Sequence, residues 1–254
     1  MQPFFVDSHT HINQFDTDEI SSIVERAKIS GVGLILAAGT TIESSKSCVS
    51  LADEVPLVEA CVGVHPMDLK GRLNAEMFGE LRELALLPAV VAISEIGLDY
   101  MEGRPDKVWQ EEAFRLQIRI ALEVNKPIIF HNREAGLEPL RMLKEEGAEN
   151  VGVIAHYFQG SISYAEACLE QGVLLSFAKP LLRDQGLQEI AGLCPLDQIV
   201  IETDSFPQPY KKNRETWTEP HHLIQVAECL AQVKSVSMDE IKEATFKNIQ
   251  RVLG

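Results

Sequence analysis

The amino-acid sequence predicts a (β/α)8 barrel, the TIM-barrel architecture, with residues 1–254 forming one domain. Two observations lead to this prediction: short apolar runs recur along the chain, and stretches with helical spacing separate them. The runs are continuous rather than alternating, which is typical of parallel strands covered on both faces. They lie at 4–7, 33–38, 58–64, 90–95, 127–131, 151–156, 172–177 and 198–204.

The stretches between these runs carry apolar residues at helical intervals. Within 107–125, Phe114, Ile118 and Leu122 fall on one stripe because each follows the last by four positions. The same alternation of strands and helices would permit an open, doubly wound sheet, so closure of the barrel is an expectation. Further helices are predicted at 17–30, 134–147, 161–171, 219–233 and 238–252.

Composition is that of a globular protein, with 45% hydrophobic and 24% charged residues. The five cysteines are an odd number without a Cys-x-x-Cys pair, which indicates reduced thiols and disfavours a thiolate metal site. The sequence shows neither a cationic leader nor an apolar run of bilayer length, so we expect a cytoplasmic protein without membrane association. No sequence feature points to a protein partner.

The formal net charge of −15 disfavours a polyanionic ligand, because nucleic-acid binding is driven by lysine and arginine releasing counterions. Two bound divalent cations would add about four positive charges at the site itself, and a local field can oppose the global one. The net charge therefore weakens the hypothesis of a nucleic-acid ligand without excluding it.

Side chains able to bind metals follow the ends of five predicted strands. In a closed barrel these ends meet at the C-terminal face, where barrel enzymes keep their active sites. A single histidine there is more often structural, but six such residues together favour a metal site. The candidate ligands are His9, His11, Glu95, His131, His156 and Asp204.

The ligand types indicate the chemistry. Imidazole and carboxylate together suit Zn, Mn or Ni, and carboxylate suits Mg. His9 and His11 share a face of an extended segment, and Glu95 has two oxygens with which to bridge two ions. Two such ions could clamp a scissile ester or phosphate and activate water. We expect Asp204 to take the proton of that water, so Asp204 and Glu95 are the predicted catalytic residues.

Three further features have two interpretations each. His65, after the third strand, could orient substrate or cap the loop that begins at Pro66, and we favour the substrate contact. Arg133 could bind an anionic oxygen of the substrate or pair with a neighbouring glutamate. The loop at 205–218 contains tyrosine, tryptophan, lysine and arginine, which fit nucleic acid but equally fit a solvated loop.

Six motifs occur along nearly the whole chain. They are Asp7-Ser8-His9-Thr10-His11, Gly63-Val64-His65-Pro66, Glu95-Ile96-Gly97-Leu98-Asp99-Tyr100, Pro127 through His131-Asn132-Arg133-Glu134-Ala135, His156-Tyr157-Phe158-Gln159-Gly160 and Glu202-Thr203-Asp204-Ser205. Their combination in this order is far more specific than any one of them. It resembles the TatD-type metal-dependent deoxyribonucleases, within the wider superfamily of amidohydrolase-like barrels.

The resemblance implies two divalent metals and hydrolysis of phosphodiester bonds, commonly at 3′ ends of DNA. One metal would be held by His9, His11, Glu95 and Asp204, the other by Glu95, His131 and His156, and His65 would approach the substrate phosphate. Ser94 and Tyr157 replace the glycine and cysteine usual in the family, which alters the pocket walls without removing a ligand. A small-molecule amidohydrolase, lactonase or phosphotriesterase on the same barrel is the alternative, and a non-enzymatic metal-stabilised scaffold is a third.

Overall fold

The eight strands within residues 2–254 form one parallel sheet in which each strand pairs with the next along the chain. A computed structural model describes residues 2–254, and all seven pairings in the order β1 to β8 are parallel. The strands are β1 (Phe5–Thr10), β2 (Val32–Ala38), β3 (Val58–Val62), β4 (Val90–Asp99), β5 (Ile128–Arg133), β6 (Val153–Ala155), β7 (Leu174–Phe177) and β8 (Ile199–Ile201).

Contacts between the first and last strand segments close the sheet into a barrel. Thr10 and Ser205 form a parallel bridge, and the N–H of His11 donates to the carbonyl oxygen of Ser205 at 2.8 Å. The carboxylate of Asp7 accepts from the Thr203 N–H at 2.8 Å and from its hydroxyl at 2.6 Å. The predicted (β/α)8 barrel is therefore confirmed, and the open doubly wound sheet is excluded.

Helices follow the strands around the outside of the barrel. They are α1 (Thr17–Ile29), α2 (Ile42–Glu54), α3 (Ala75–Ala85), α4 (Lys107–Val124), α5 (Glu138–Glu146), α6 (Ile162–Glu170), α7 (Gln185–Leu193), α8 (Leu223–Lys234) and α9 (Met238–Leu253). Across residues 2–254, none of these helices combines the length and apolar character needed to cross a bilayer.

Several predicted boundaries were wrong: the first strand runs to Thr10 and the eighth ends at Ile201, and two further departures have a clear cause. The fifth helix begins at Glu138 instead of residue 134, because Glu134 and Gly136 adopt left-handed φ angles of 56° and 58° that interrupt a helix. The fourth strand continues past Glu95 as far as Asp99. The N–H of Asp99 donates to the amide oxygen of Gln110 at 2.8 Å. Both departures lie close to the C-terminal ends of β4 and β5, where the chain enters a loop.

The core has two layers, as the alternation of strand side chains requires. The outer layer packs between the sheet and the helices. The inner layer takes one buried residue from each strand, and helix α9 covers it with Phe246, Ile249 and Val252. The inner residues are Val6, Leu36, Cys61, Ala92, Ile129, Ile154, Leu174 and Val200. Helix α9 therefore closes one end of the barrel, and the polar strand ends lie away from it.

Gly97 allows β4 and β5 to approach at the level of the candidate site. It has a φ of 140° and pairs with His131, whose carbonyl oxygen would lie 2.0 Å from a Cβ added at Gly97. A side chain there would force the two strands apart, and its backbone conformation would be strained.

We expect Gly97→Ala to lower the free energy of unfolding by about 3 kcal/mol or more, since backbone strain and overpacking each cost about 1–3 kcal/mol. Gly79→Ala is the matched control: Gly79 lies inside α3 with no atom within 4 Å of an added Cβ. That variant should gain about 0.5–1 kcal/mol. Urea denaturation of both variants measures the difference, and equal midpoints would contradict the assigned role of Gly97.

Candidate metal centre

The barrel brings all the predicted ligands into one cluster at the C-terminal ends of its strands. His9 lies on β1 and Glu95 on β4, while His131 lies on β5. The others occupy the segments that follow their strands: His11 after β1, His65 after β3, His156 after β6 and Asp204 after β8. Their clustering follows from closure of the sheet, because these positions are as many as 195 residues apart in sequence.

Glu95 is the centre of the cluster. Its carboxylate is 5% exposed and faces the imidazoles of five histidines at once. One oxygen, Oε2, lies 3.4 Å from the Nε2 atoms of both His9 and His11. The other, Oε1, lies 3.2 Å from nitrogen atoms of His65, His131 and His156. A carboxylate in this position can contact two ions through its two oxygens.

The outer partners of His11 and His156 fix which ring nitrogen faces Glu95. The Nδ1–H of His11 donates to the carbonyl oxygen of Ala38 at 3.0 Å, so Nε2 faces Glu95 and has a lone pair only in the neutral ring. The Nδ1–H of His156 donates to Glu202 at 2.8 Å in the same way. A lone pair and a carboxylate oxygen repel each other unless a proton or a metal cation lies between them.

The donor set fits a divalent cation. Three sets of side chains have ligand atoms that all lie within 4.8 Å of one another, and each set combines imidazole with carboxylate. The Nε2 atom of His9 is buried without a hydrogen-bond partner, although burying such a group is costly. The sets are His9, Glu95 and His156; His9, His11 and Asp204; and His65, Glu95 and His131.

The electrostatics of the cluster favour the metal-binding forms of Glu95 and His9. Burial opposes ionisation of Glu95, yet the surrounding histidines hold its pKa well below the usual value. Burial, assisted by repulsion from His156, lowers the pKa of His9 to about 4, so His9 is neutral at neutral pH. Burial raises the pKa of Asp204 to about 6, against the opposing charges of His156 and His11. A carboxylate anion and a neutral imidazole are therefore both present near pH 7.

His65 differs from the other histidines in its outer partner. Its Nδ1 accepts a hydrogen bond from the Met67 N–H at 3.1 Å, so its proton lies on Nε2. That Nε2–H points to Glu95 at 3.2 Å and can donate to an anionic oxygen. The geometry therefore suits a donor to substrate better than a metal ligand, although His65 belongs to one of the three compact sets.

The cluster opens into a cleft of about 720 Å³, which we call the metal cleft. Arg133 lines this cleft with an exposed side chain, and no carboxylate within residues 2–254 lies within ion-pair distance of it. The structure does not show the predicted alternative, a salt bridge to Glu134 or Glu138. Arg133 is therefore available to an anion in the cleft.

Two of the three cations of the loop at 205–218, and the ring of Trp217, are engaged by neighbouring protein groups. Arg214 pairs with Glu19 and Glu219, each at 2.8 Å, and lies 4.5 Å above the ring of Trp217. The ammonium group of Lys211 donates to the Thr216 carbonyl at 3.0 Å. Since these groups hold the loop together, they do not form the open basic surface that one interpretation of the sequence requires.

Sequence reasoning missed the carboxylates behind the cluster. Glu202 accepts from the Nδ1–H of His156, from the Tyr157 N–H at 2.9 Å and from the Ser176 hydroxyl. Although burial works in the opposite direction, Glu202 and Glu95 raise the pKa of His156 well above its usual value. Asp99 lies 3.6 Å from the Nε2 of His131. The available signal in the sequence was an acid, Glu202, directly after the apolar Ile199-Val200-Ile201 and two positions before Asp204.

Comparison with known proteins agrees with this geometry. The family model described as TatD related DNase matches residues 6–254. The uncharacterized metal-dependent hydrolase YabD of Bacillus subtilis is 37% identical over 97% of both chains. The 3′-5′ ssDNA/RNA exonuclease TatD of Citrobacter rodentium is 30% identical over 95% of this chain and 94% of its own. The solved structure of YjjV, a TatD homologue from Escherichia coli, has a TM-score of 0.89 at 25% identity, covering 99% of this chain and 98% of that one.

The barrel, the imidazole–carboxylate cluster and these relatives define the class of the protein, which is that of the metal-dependent hydrolases. Within that class, the chain belongs to the TatD-related DNase family. The resemblance noted in the sequence is therefore confirmed.

Divalent metal should stabilise the folded protein, because its ligands are gathered only in the closed barrel. After chelation, adding Mn²⁺ or Zn²⁺ to 100-fold above its Kd is expected to stabilise the protein by about 2.7 kcal/mol. This corresponds to a rise in Tm of about 5–10 °C for a chain of this size. Glu95→Gln should abolish the rise, while Glu25→Gln, which alters an exposed position on α1, should retain it. An unchanged Tm in the unsubstituted protein would contradict a metal centre here.

Glu202→Gln should weaken metal binding without removing a ligand, since the outer partner of a ligating histidine sets its orientation and basicity. Loss of such a partner typically costs about 10- to 100-fold in metal affinity. Titration of the metal-free protein with Mn²⁺, followed by calorimetry, measures the change, with Glu25→Gln again as control. Wild-type affinity in Glu202→Gln would contradict the role assigned to Glu202.

Proposed function

We propose that the protein is a divalent-metal-dependent phosphodiesterase that removes nucleotides from the 3′ ends of single-stranded DNA. The observation that carries the proposal is the single carboxylate of Glu95 within 3.2–3.4 Å of five imidazoles at the open end of a barrel. Membership of the TatD-related DNase family and the exonuclease named among its relatives support this choice of reaction. We further propose that residues 1–254 act as one hydrolase domain in the cytoplasm.

We propose two divalent ions at the site, bridged by Glu95. His9, His11 and Asp204 would be the remaining ligands of one ion, while His131 and His156 would be those of the other. The mixed imidazole and carboxylate set would accept Zn, Mn, Ni or Mg, so the donors alone do not select one metal. Ions bound there would supply a Lewis acid for the phosphate and a nucleophile at neutral pH.

The residues around the cluster have separate tasks in this proposal. Asp204, at 21% exposure, is far more open to the cleft than Glu95, at 5%, and is therefore placed to accept a proton from attacking water. The Nε2–H of His65 donates to a phosphate oxygen and so positions it. Arg133 at the cleft wall neutralises the anionic backbone of the substrate, where a guanidinium can bind two phosphate oxygens.

Hydrolysis of a 5′-labelled single-stranded oligodeoxynucleotide tests the proposal. With Mn²⁺ or Mg²⁺ present, we expect shortening from the 3′ end, and chelation should stop it. Glu95→Gln should reduce the rate by at least about 100-fold, as is typical when an electrostatic contact in a catalytic site is lost, whereas Glu25→Gln should keep the wild-type rate.

If metal-loaded protein leaves every DNA substrate intact, the nuclease proposal fails. Hydrolysis of a small ester or amide that also depends on Glu95 would then identify the alternative, a small-molecule hydrolase on the same barrel.

A further inference from the structure

A second cavity adjoins the metal cleft. It has a volume of about 330 Å³, near the lower end of the range for small-ligand pockets, and we call it the side cavity. The ends of β5 and β6 and the segments leading into α5 and α6 enclose it. Nothing in the proposed chemistry at the metal cleft uses this space.

The side cavity and the metal cleft share part of their walls. Asn132, His156, Tyr157 and Gln159 line both spaces, so a molecule held at the metal cleft can extend into the side cavity. Tyr157 has a left-handed φ of 46°, and its N–H is bound by Glu202 at 2.9 Å. The same carboxylate therefore holds both His156 and the neighbouring wall of the side cavity.

Aromatic rings form much of the cavity wall. Phe158 and Tyr164 lie with their planes 6° apart and their centroids 5.8 Å apart. Gly160 lies directly against both rings, because a Cβ at that position would come within 2.7 Å of Tyr164 and 2.9 Å of Phe158. Phe158 is buried, whereas Tyr164 is partly exposed. Flat apolar walls of this kind favour a planar ring as ligand.

The polar groups of the cavity select against phosphate. No lysine or arginine of residues 2–254 is among its lining residues, and Glu134 contributes a negative charge at the wall. The exposed amide of Gln159 makes no side-chain hydrogen bond within that range, so it offers a free donor and a free acceptor. A neutral planar group with its own donors and acceptors fits these features, and a second phosphate does not.

We propose that the side cavity binds the nucleobase of a nucleotide flanking the scissile phosphate. This inference rests on the proposed nuclease function and adds to it a determinant of substrate selection. The phosphate lies at the metal cleft, the base packs on the rings of the side cavity, and Gln159 bonds to the edge of the base. Asn132 Nδ2, which donates to the Gly136 carbonyl at 3.0 Å, holds the entry of the loop in place.

The test compares oligonucleotides that carry a normal base or an abasic site at the last or the penultimate position. Metal-loaded wild-type protein should prefer the normal base at one of these positions by about 5- to 150-fold in kcat/KM, the effect of one stacked base. Ser163→Trp should bring this ratio close to one, because Ser163 is exposed on α6 and a bulky side chain there fills the cavity. Gln159→Ala should lower the ratio by about 2- to 10-fold through loss of a hydrogen bond.

Ser47→Trp is the matched control, since Ser47 is an exposed serine on α2 outside the cavity lining, and it should keep the wild-type ratio. Thermal melting and metal content of every variant establish that fold and metal centre persist. Equal rates on normal and abasic DNA, or an unchanged ratio in both Ser163→Trp and Gln159→Ala, would overturn the inference.

A separate binding measurement distinguishes failure of this inference from failure of the proposed function. If the wild-type protein hydrolyses no DNA, the nuclease proposal fails on its own. Fluorescence anisotropy then measures how tightly Glu95→Gln protein binds the same oligonucleotides. This measurement tests whether the side cavity binds a nucleobase. Tighter binding of the normal base, lost when Ser163→Trp is added, supports the inference, and equal binding of both oligonucleotides overturns it.

Discussion

The buried carboxylate of Glu95 is the constraint on which the rest of the site depends. A charged group at 5% exposure is tolerated only where opposite charge or hydrogen-bond donors surround it. Five histidines at the ends of four strands supply those partners, and oxygens behind His11 and His156 bind the Nδ1–H of each ring. At the polar end of the barrel, histidines therefore surround Glu95. The opposite end is filled by apolar side chains under α9.

The shell behind the ligands links the metal centre to the barrel wall. Ser8 and Ser176 lie 3.0 Å apart, Ser176 also donates to Glu202, and Glu202 holds His156. These hydrogen bonds connect each of the buried groups to the ligand His156. Glu202 also binds the Tyr157 N–H, so the position of the metal ligand and that of the side-cavity wall are set together.

The sequence was sufficient to predict the barrel and the seven strand-end residues, because apolar runs and the ends of strands are local patterns. It did not identify Glu202 or Asp99 as partners of histidines, since the role of a buried acid depends on which residue the fold places beside it. The loop at 205–218 was undecided for the same reason. Its cations could bind a ligand or pair with a neighbouring carboxylate. In the structure Arg214 pairs with Glu19, which lies almost two hundred positions earlier in the sequence.

Closure of the barrel by its first and last strands has a consequence for the order of events during folding. Asp7 and Thr203 are joined across 196 positions, and the inner core unites Val6 with Val252. Such long-range contacts form late, because the entropy of closing the intervening loop must be overcome first. His9 and His11 therefore meet Asp204 only after nearly the whole chain is in place. A metal site that needs all three residues would therefore be completed by a finished barrel and not by a growing chain.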